Sequence, residues 1–134
     1  MMSTDQHPAC SSMKDLPDEA LAQVAAYFQA LSEPTRLQIL NLLRQGERSV
    51  GELAKLCGYS SANISRHLAL LTQRGLVARE SRGNSAIYTI ADKSVYALCD
   101  LVCGSIARQF ERTARESAAF ALPTAKRARP RSTA

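Results

Sequence analysis

The chain has 134 residues, of which 46% are hydrophobic and 22% charged, and its formal net charge at pH 7 is +5. This length suits one domain with tails, and the lack of an apolar run of about 18 residues argues against a membrane span. Much of the positive charge comes from a cluster close to the carboxyl terminus, without which the chain is nearly neutral. The cluster consists of Lys126, Arg127, Arg129 and Arg131. We also expect no secretory signal and a cytoplasmic location, because no apolar stretch follows a basic amino terminus.

Helical patterns begin after a non-periodic segment, residues 1–14, which we expect to be a flexible arm ahead of a domain over 15–121. Pro17 followed by two acidic residues is typical of a first helical turn. Apolar residues then recur at three- and four-residue spacing as far as Leu31, which predicts the first helix. A second helix is predicted after Ser32-Glu33-Pro34-Thr35, with Gly46 as its stop signal.

Two shorter helices are predicted next, each with a polar cap. Ser49 with Glu52 three residues later matches a capping box, and Gly58 follows the helix that they start. Ser60 is the predicted cap of the fourth helix, which Gly75 closes.

The pattern then changes to two β-prone runs, residues 76–79 and 86–90, on either side of Arg82-Gly83-Asn84-Ser85. Glycine and asparagine there favour a hairpin turn. A long final helix follows from Asp92, and residues 122–134 are predicted to form a basic, disordered tail. Two short helices followed directly by a hairpin predict a mainly α-helical fold with a small β-hairpin, the winged helix-turn-helix.

The exposed side of the predicted fourth helix and the hairpin is rich in polar and basic side chains. Such side chains hydrogen-bond to base edges and phosphates, and a helix amino terminus favours a phosphate. Single polar residues on a helix usually just face water, but their clustering beside a basic hairpin favours DNA binding. The predicted DNA-binding residues are Ser60, Ser61, Asn63, Ser65, Arg66, His67, Arg79 and Arg82.

Several segments resemble the arsenic-repressor (ArsR/SmtB) family, and the resemblance covers roughly residues 16–120. They are Ala30–Leu37, Glu52–Ala54, Asn63–Leu68 and Gly75–Val77. The resemblance implies a homodimer formed through the first and last helices. It also implies binding to an inverted-repeat DNA operator, with half-sites about one helical turn apart, and release when an inducer binds.

The ligand positions of the family's familiar sensor sites hold mostly other residues here. A Cys-x-Cys pair at the third helix, an Asp and His zinc site along the last helix, and a second-helix thiol are all incomplete, although Asp92 is retained. The residues found at the other positions are Ser49, Gly51, Ser94, Ser105, Arg108 and Asn41.

The last helix instead has Cys99 and Cys103, whose spacing of four puts both sulfurs on one face, with Cβ atoms about 5–6 Å apart. Two thiolates at that distance suit a soft ion. Relatives with clustered thiols in this helix respond to trivalent arsenic or antimony. These elements prefer three sulfur ligands. We therefore expect Cys57, Cys10 or a small cellular thiol to supply the third sulfur. No permanent cofactor is expected. Cysteine is also a common buried residue, so the pair could simply fill a core.

Other hypotheses remain open at this stage. The cysteines could sense oxidants or reactive sulfur, although an i,i+4 helical pair is poorly aimed for a disulfide. The inducer could be zinc or cadmium, or the protein could bind DNA constitutively. A thiol enzyme finds no support, because no catalytic histidine or acid accompanies a cysteine in a recognisable motif and no glycine-rich phosphate loop occurs.

Overall fold

The computed structural model describes residues 13–120, so the predicted arm, apart from its last two residues, and the predicted tail lie outside the described part. The chain divides between Lys93 and Ser94 into two compact units. A short 3-10 helix, Met13–Asp15, begins the described part of the first unit. The helices and strands that follow it along the chain are α1 Asp18–Ala30, α2 Pro34–Leu43, β1 Arg48–Ser49, α3 Val50–Cys57, α4 Ser61–Gln73, β2 Val77–Arg82 and β3 Ser85–Ile90.

The helix starts are fixed by the caps that the sequence predicts. The Ser49 hydroxyl accepts from the Glu52 backbone N–H at 3.1 Å, and the Glu52 carboxylate accepts from the Ser49 N–H at 2.9 Å. The Ser60 hydroxyl accepts from the Asn63 N–H at 3.1 Å and caps α4. Gly58 takes the left-handed conformation, with φ of 78°, that ends α3 without strain.

The core of this unit is built from the apolar faces of the helices and the base of the sheet. Side chains from α2, α3 and α4 and from the last residue of α1 meet there, together with Leu76, Val77 and Tyr88. The buried helical residues are Ala30, Thr35, Ile39, Leu40, Leu43, Leu53, Ala54, Ile64, Leu68 and Leu71.

The sheet differs from the predicted hairpin in having a third strand. The two residues of β1 pair with β3, which gives the antiparallel order β1-β3-β2. A two-residue strand is too short to show a pattern in the sequence. The hairpin strands are also longer than predicted, because their polar outer ends continue the pairing as far as Arg82↔Ser85. A two-residue turn, Gly83-Asn84, joins them, and Gly83 has a φ of 58°.

The described part of the second unit is the long helix α5, Ser94–Phe120, which confirms the predicted last helix. Several of its apolar side chains are exposed in the single chain: Leu101, Val102, Ile106, Phe110 and Phe120. Within residues 13–120, every helix is too short or too polar to cross a membrane.

Candidate DNA-binding surface and cysteine pair

Helix α4 is held by three side chains on one face. Ile64, Leu68 and Leu71 each have an exposed fraction of 0%, and their i, i+4, i+7 spacing makes one continuous stripe. Ser61, Ser65 and Arg66 are exposed, as the sequence predicts for a surface that contacts DNA. The amino-terminal part of α4 therefore presents polar side chains above a fixed apolar base.

Asn63 occupies the border between these two faces. Its side chain is half-buried, and its carboxamide oxygen is buried without a hydrogen-bond partner among the described residues. The backbone N–H of the same residue is satisfied by the Ser60 cap. Asn63 is thus less open to solvent than its neighbours Ser61 and Ser65.

His67 lies against the amino-terminal end of α2 rather than among the exposed residues of α4. Only 17% of its side chain is exposed, and its Nδ1 is 3.1 Å from the Arg36 Nη1. The reason can be read from the helical spacing, because position 67 follows Ile64 by three and precedes Leu71 by four. The same spacing in the sequence could have indicated this partly buried position.

The β2–β3 hairpin forms the wing of the fold. The two wing residues predicted to contact DNA lie on opposite faces of this hairpin. Arg79 and Arg82 are three residues apart in one strand, and side chains alternate between faces. Arg79 donates to the Ser81 hydroxyl at 3.3 Å. Arg82 instead makes a two-pronged contact with the Glu47 carboxylate, at 2.7 and 2.9 Å, and a further contact with Glu80 at 3.2 Å.

Glu47 lies in the loop between α2 and β1, and the sequence gives no sign of its contact with the wing. Its exposed carboxylate accepts hydrogen bonds from Arg82, which lowers the pKa of Glu47 below the ordinary carboxyl value. The same contacts raise the pKa of Arg82. The pair is therefore fully ionised at neutral pH, and the Arg82 guanidinium is held by two carboxylates in the single chain.

The cysteine pair lies on α5 as the sequence predicts. Cys99 is half-buried and Cys103 is exposed, and neither is in a disulfide. Within residues 13–120, the structure brings together no set of three Cys, His, Asp or Glu side chains suited to a metal ion. The pair by itself can thus supply two sulfur ligands.

Of the two cysteines predicted as a third ligand, the structure describes only Cys57. Cys57 is half-buried at the end of α3, and burial raises the pKa of its thiol. A raised pKa disfavours the thiolate that binds a soft metal ion. Cys10 lies outside the described residues.

Comparison with known proteins is consistent with this architecture. Residues 33–79 match the family described as bacterial regulatory protein, arsR family. The HTH-type transcriptional regulator NmtR of Mycobacterium tuberculosis is 40% identical over 85 residues, which cover 63% of this chain and 71% of NmtR. A probable mercury resistance operon repressor of Streptomyces lividans is 35% identical over 71 residues, covering 53% of this chain and 57% of that protein.

A solved structure extends the comparison to the fold. The homodimeric winged helix-turn-helix DNA-binding domain of Mb0332 from Mycobacterium bovis has a TM-score of 0.65 and 35% identity. The match covers 77% of this chain and 95% of that domain. The fold is therefore a winged helix-turn-helix, with α3 and α4 as the helix pair, and the chain belongs to the arsR family of bacterial transcriptional regulators.

Proposed function

We propose that the chain is a transcriptional repressor that binds an inverted-repeat operator as a homodimer. A thiophilic ion, with trivalent arsenic or antimony favoured, binds Cys99 and Cys103 and causes release of the DNA. The observation that carries the DNA-binding part is the exposed polar end of α4 above three fully buried anchors. Because such a repressor acts on the chromosome, the predicted cytoplasmic location belongs to the same proposal.

The DNA contacts proposed for α4 follow from its exposure pattern. Ser60, Ser61, Asn63, Ser65 and Arg66 lie in its cap and first two turns, where a recognition helix meets the major groove. Arg66 is the strongest candidate for reading a base, because a guanidinium can bond two acceptors of guanine at once. Contacts to the DNA backbone are assigned to Arg79 and Arg82 of the wing. His67 was predicted with this set, but its side chain is only 17% exposed and lies against Arg36 of α2, so no DNA contact is assigned to it.

A homodimer is supported by the apolar surface of α5. Val102, Ile106 and Phe110 recur at four-residue spacing and are exposed in the single chain, Phe110 to 71%. Exposed apolar stripes of this kind mark protein interfaces. Leu21 and Phe28 of α1 are exposed as well, in accord with a dimer through the first and last helices.

The dimer is tested by Ile106→Asp, which places a charge in the middle of the stripe. We expect a monomer by sedimentation, and weaker operator binding because one half-site alone gives few contacts. Arg112→Asp, on the same helix but outside the stripe, is the matched control and should leave the dimer intact. A stable Ile106→Asp dimer would contradict the interface.

The sensor part rests on the spacing and exposure of the cysteine pair. The i,i+4 separation lets both sulfurs reach one ion, and the exposed Cys103 gives that ion access. A probable mercury resistance repressor among the relatives supports a soft, thiophilic inducer. Release requires that the ion binds the DNA-incompetent state more tightly than the DNA-bound state.

The test uses a duplex carrying the sequence recovered from a random DNA pool by the purified wild-type protein. Binding is measured with trivalent arsenic, trivalent antimony, cadmium, zinc, mercury or peroxide added. Cys99→Ser and Cys103→Ser should bind this duplex as the wild type does but should resist release by the inducing ion. Coupling of about 3 kcal/mol would correspond to a roughly 150-fold loss of wild-type affinity when the ion is bound.

The third ligand is tested by Cys57→Ser and Cys10→Ser in the same assay. A real ligand should weaken induction, whereas an incidental cysteine should leave it unchanged. If the double variant Cys99→Ser, Cys103→Ser still releases DNA at wild-type ion concentrations, the sensor is not the pair. Release by peroxide alone would favour a redox or reactive-sulfur sensor, and release by zinc or cadmium alone would favour a divalent-metal sensor. No response to any of these additions would leave a constitutive DNA-binding protein.

A further inference from the structure

Three helices meet at the guanidinium of Arg36, in the first turn of α2. Its Nε donates to the Ala30 carbonyl at 2.6 Å, and its Nη2 donates to the Gln29 carbonyl at 3.1 Å. Both carbonyls belong to the last turn of α1, where no further N–H group of the helix can donate to them. The partial negative charge at this end of a helix favours a positively charged side chain. Arg36 thus ties α2 to the end of α1.

The remaining guanidinium nitrogen reaches α4. Arg36 Nη1 lies 3.1 Å from Nδ1 of His67, and the two residues are 31 positions apart in the chain. Arginine has no acceptor, so the histidine nitrogen must accept this bond. The contact therefore requires a neutral imidazole with its proton on Nε2.

His67 is well placed to set the position of the DNA-contacting side of α4. The residue after it, Leu68, is fully buried, and the residue before it, Arg66, is exposed on the proposed DNA-binding surface. A shift of His67 relative to Arg36 would therefore move the side chains proposed to read bases.

We infer that Arg36 is a positioning residue for the recognition helix, which it holds through a neutral His67, so that protonation of His67 weakens operator binding. This inference rests on the proposed DNA-binding function. It gives the partly buried histidine a role that needs no contact with DNA.

The charges around the imidazole support the direction of this effect. From α2, Arg36 faces Nδ1, and from the cap of α2 the Glu33 carboxylate lies 3.9 Å from Nε2. The end of α1 contributes only the two backbone carbonyls that accept from Arg36, and on α4 itself the neighbouring basic residue is the exposed Arg66. Protonation would place two donors and two positive charges face to face at Nδ1.

Attraction to Glu33 does not restore the contact. The nearest Glu33 oxygen already accepts from the Thr35 N–H at 2.8 Å, which caps α2. A protonated His67 would therefore turn away from Arg36 and toward a carboxylate that is already in use. This rotation of the imidazole would break its hydrogen bond with Arg36 and so loosen the link between α2 and α4.

The sign of the pH effect separates this role from a direct DNA contact. A histidine that contacts a phosphate binds DNA better when protonated, because it then neutralises charge on the backbone. A histidine that accepts from Arg36 has the opposite effect.

The experiment measures affinity of the full-length protein for the recovered duplex from about pH 8 to about pH 5.5 at constant salt. The variants are His67→Asn, which keeps an acceptor at the δ position without titrating, and His67→Leu, which has a similar branched shape and no acceptor. Thermal unfolding at both pH values confirms that each variant is folded.

Wild-type affinity should fall about tenfold on acidification, the size expected for losing a hydrogen bond to a charged group. His67→Asn should bind equally at both ends of the pH range, because asparagine does not titrate, and more tightly than His67→Leu, which should be weak at both ends. Wild-type affinity that rises on acidification, or stays level, would overturn the inference while leaving DNA binding intact. Failure of the wild type to bind any duplex at high pH would overturn the proposed function and this inference with it.

Discussion

The recognition helix α4 and the wing lie next to each other in the chain but are held in place by different forces. Three fully buried apolar side chains and the Ser60 cap fix α4. The outer half of the wing has no buried side chain, and Arg82 is held there by the exposed carboxylates of Glu47 and Glu80. Burial of apolar surface is not screened by salt, whereas exposed ion pairs are.

This difference shows how the two parts divide the proposed work. A helix that reads bases must present its side chains at fixed positions, and packing supplies that precision. A wing that follows the DNA backbone needs charge more than exact geometry, and an exposed ion pair can exchange its carboxylate for a phosphate. The following predictions test this division, in order of decreasing expected effect.

Leu68→Ala should have the largest effect. Removing a fully buried leucine costs about 2–5 kcal/mol, from lost transfer free energy and the cavity left behind. The free energy of unfolding, measured with a chemical denaturant, should fall by that amount. Ala69→Ser, at the adjacent exposed position, is the control and should change stability little. A loss below about 1 kcal/mol for Leu68→Ala would show that packing does not fix α4.

Arg66→Ala should leave the unfolding free energy almost unchanged, because the side chain is exposed. If the guanidinium reads a base, the free energy of binding to the operator should weaken by about 1–3 kcal/mol. The free energy of binding to unrelated DNA should then change much less. Binding titrations with the recovered duplex and a scrambled duplex of equal length measure both values. Equal losses on the two duplexes would mean that Arg66 contacts only the backbone.

Ser60→Ala should have an intermediate effect on stability. Loss of the hydroxyl leaves the Asn63 N–H without its cap, and such a change costs about 1 kcal/mol. Thermal unfolding should register the loss, and Ser60→Asp, which can cap in the same way, should restore most of it. If alanine and aspartate behave alike, the cap contributes nothing to the stability of α4.

Glu47→Gln should have the smallest effect and the opposite sign for DNA binding. It removes a carboxylate that competes with phosphate for Arg82, so affinity should rise severalfold at low salt for all sequences. The rise should disappear when Arg82→Ala is also present. Weaker binding by Glu47→Gln would instead mean that the ion pair holds the wing in its DNA-binding position.

The pH dependence of the wing contact differs from that inferred for His67. The Glu47 pKa is lowered by Arg82, so the ion pair is present at neutral pH and is lost as the pH falls through that lowered value. Glu47 therefore stays ionised over the pH range of the DNA-binding experiment, and the effect of Glu47→Gln should be equal at both ends of that range. An effect of Glu47→Gln that differs between the two ends would contradict this assignment.

The sequence predicted most of what is encoded locally. The caps at Ser49 and Ser60 are confirmed because each is set by residues three positions apart. The contacts that orient the functional side chains were not predictable in the same way. The Arg36–His67 and Glu47–Arg82 contacts join residues 31 and 35 positions apart, and only the folded chain brings them together.

The strand β1 was missed for a related reason, since two residues carry no alternation and acquire their conformation from pairing with β3. The proposed roles of Cys99 and Cys103 remain predictions. Their spacing is visible in the sequence, but an ion's preference for one state of the protein is not.

The pairing of β3 also determines where the wing tolerates a change in length. Ile87 pairs with both β1 and β2, whereas Ser85 and Ala86 pair with β2 alone. Residues inserted at the Gly83-Asn84 turn would therefore lengthen the hairpin without disturbing the strand that leads into the α3 cap. One residue inserted within β2 would instead move Arg82 to the opposite face, away from Glu47. An engineered wing of greater reach should thus be built outward from the turn.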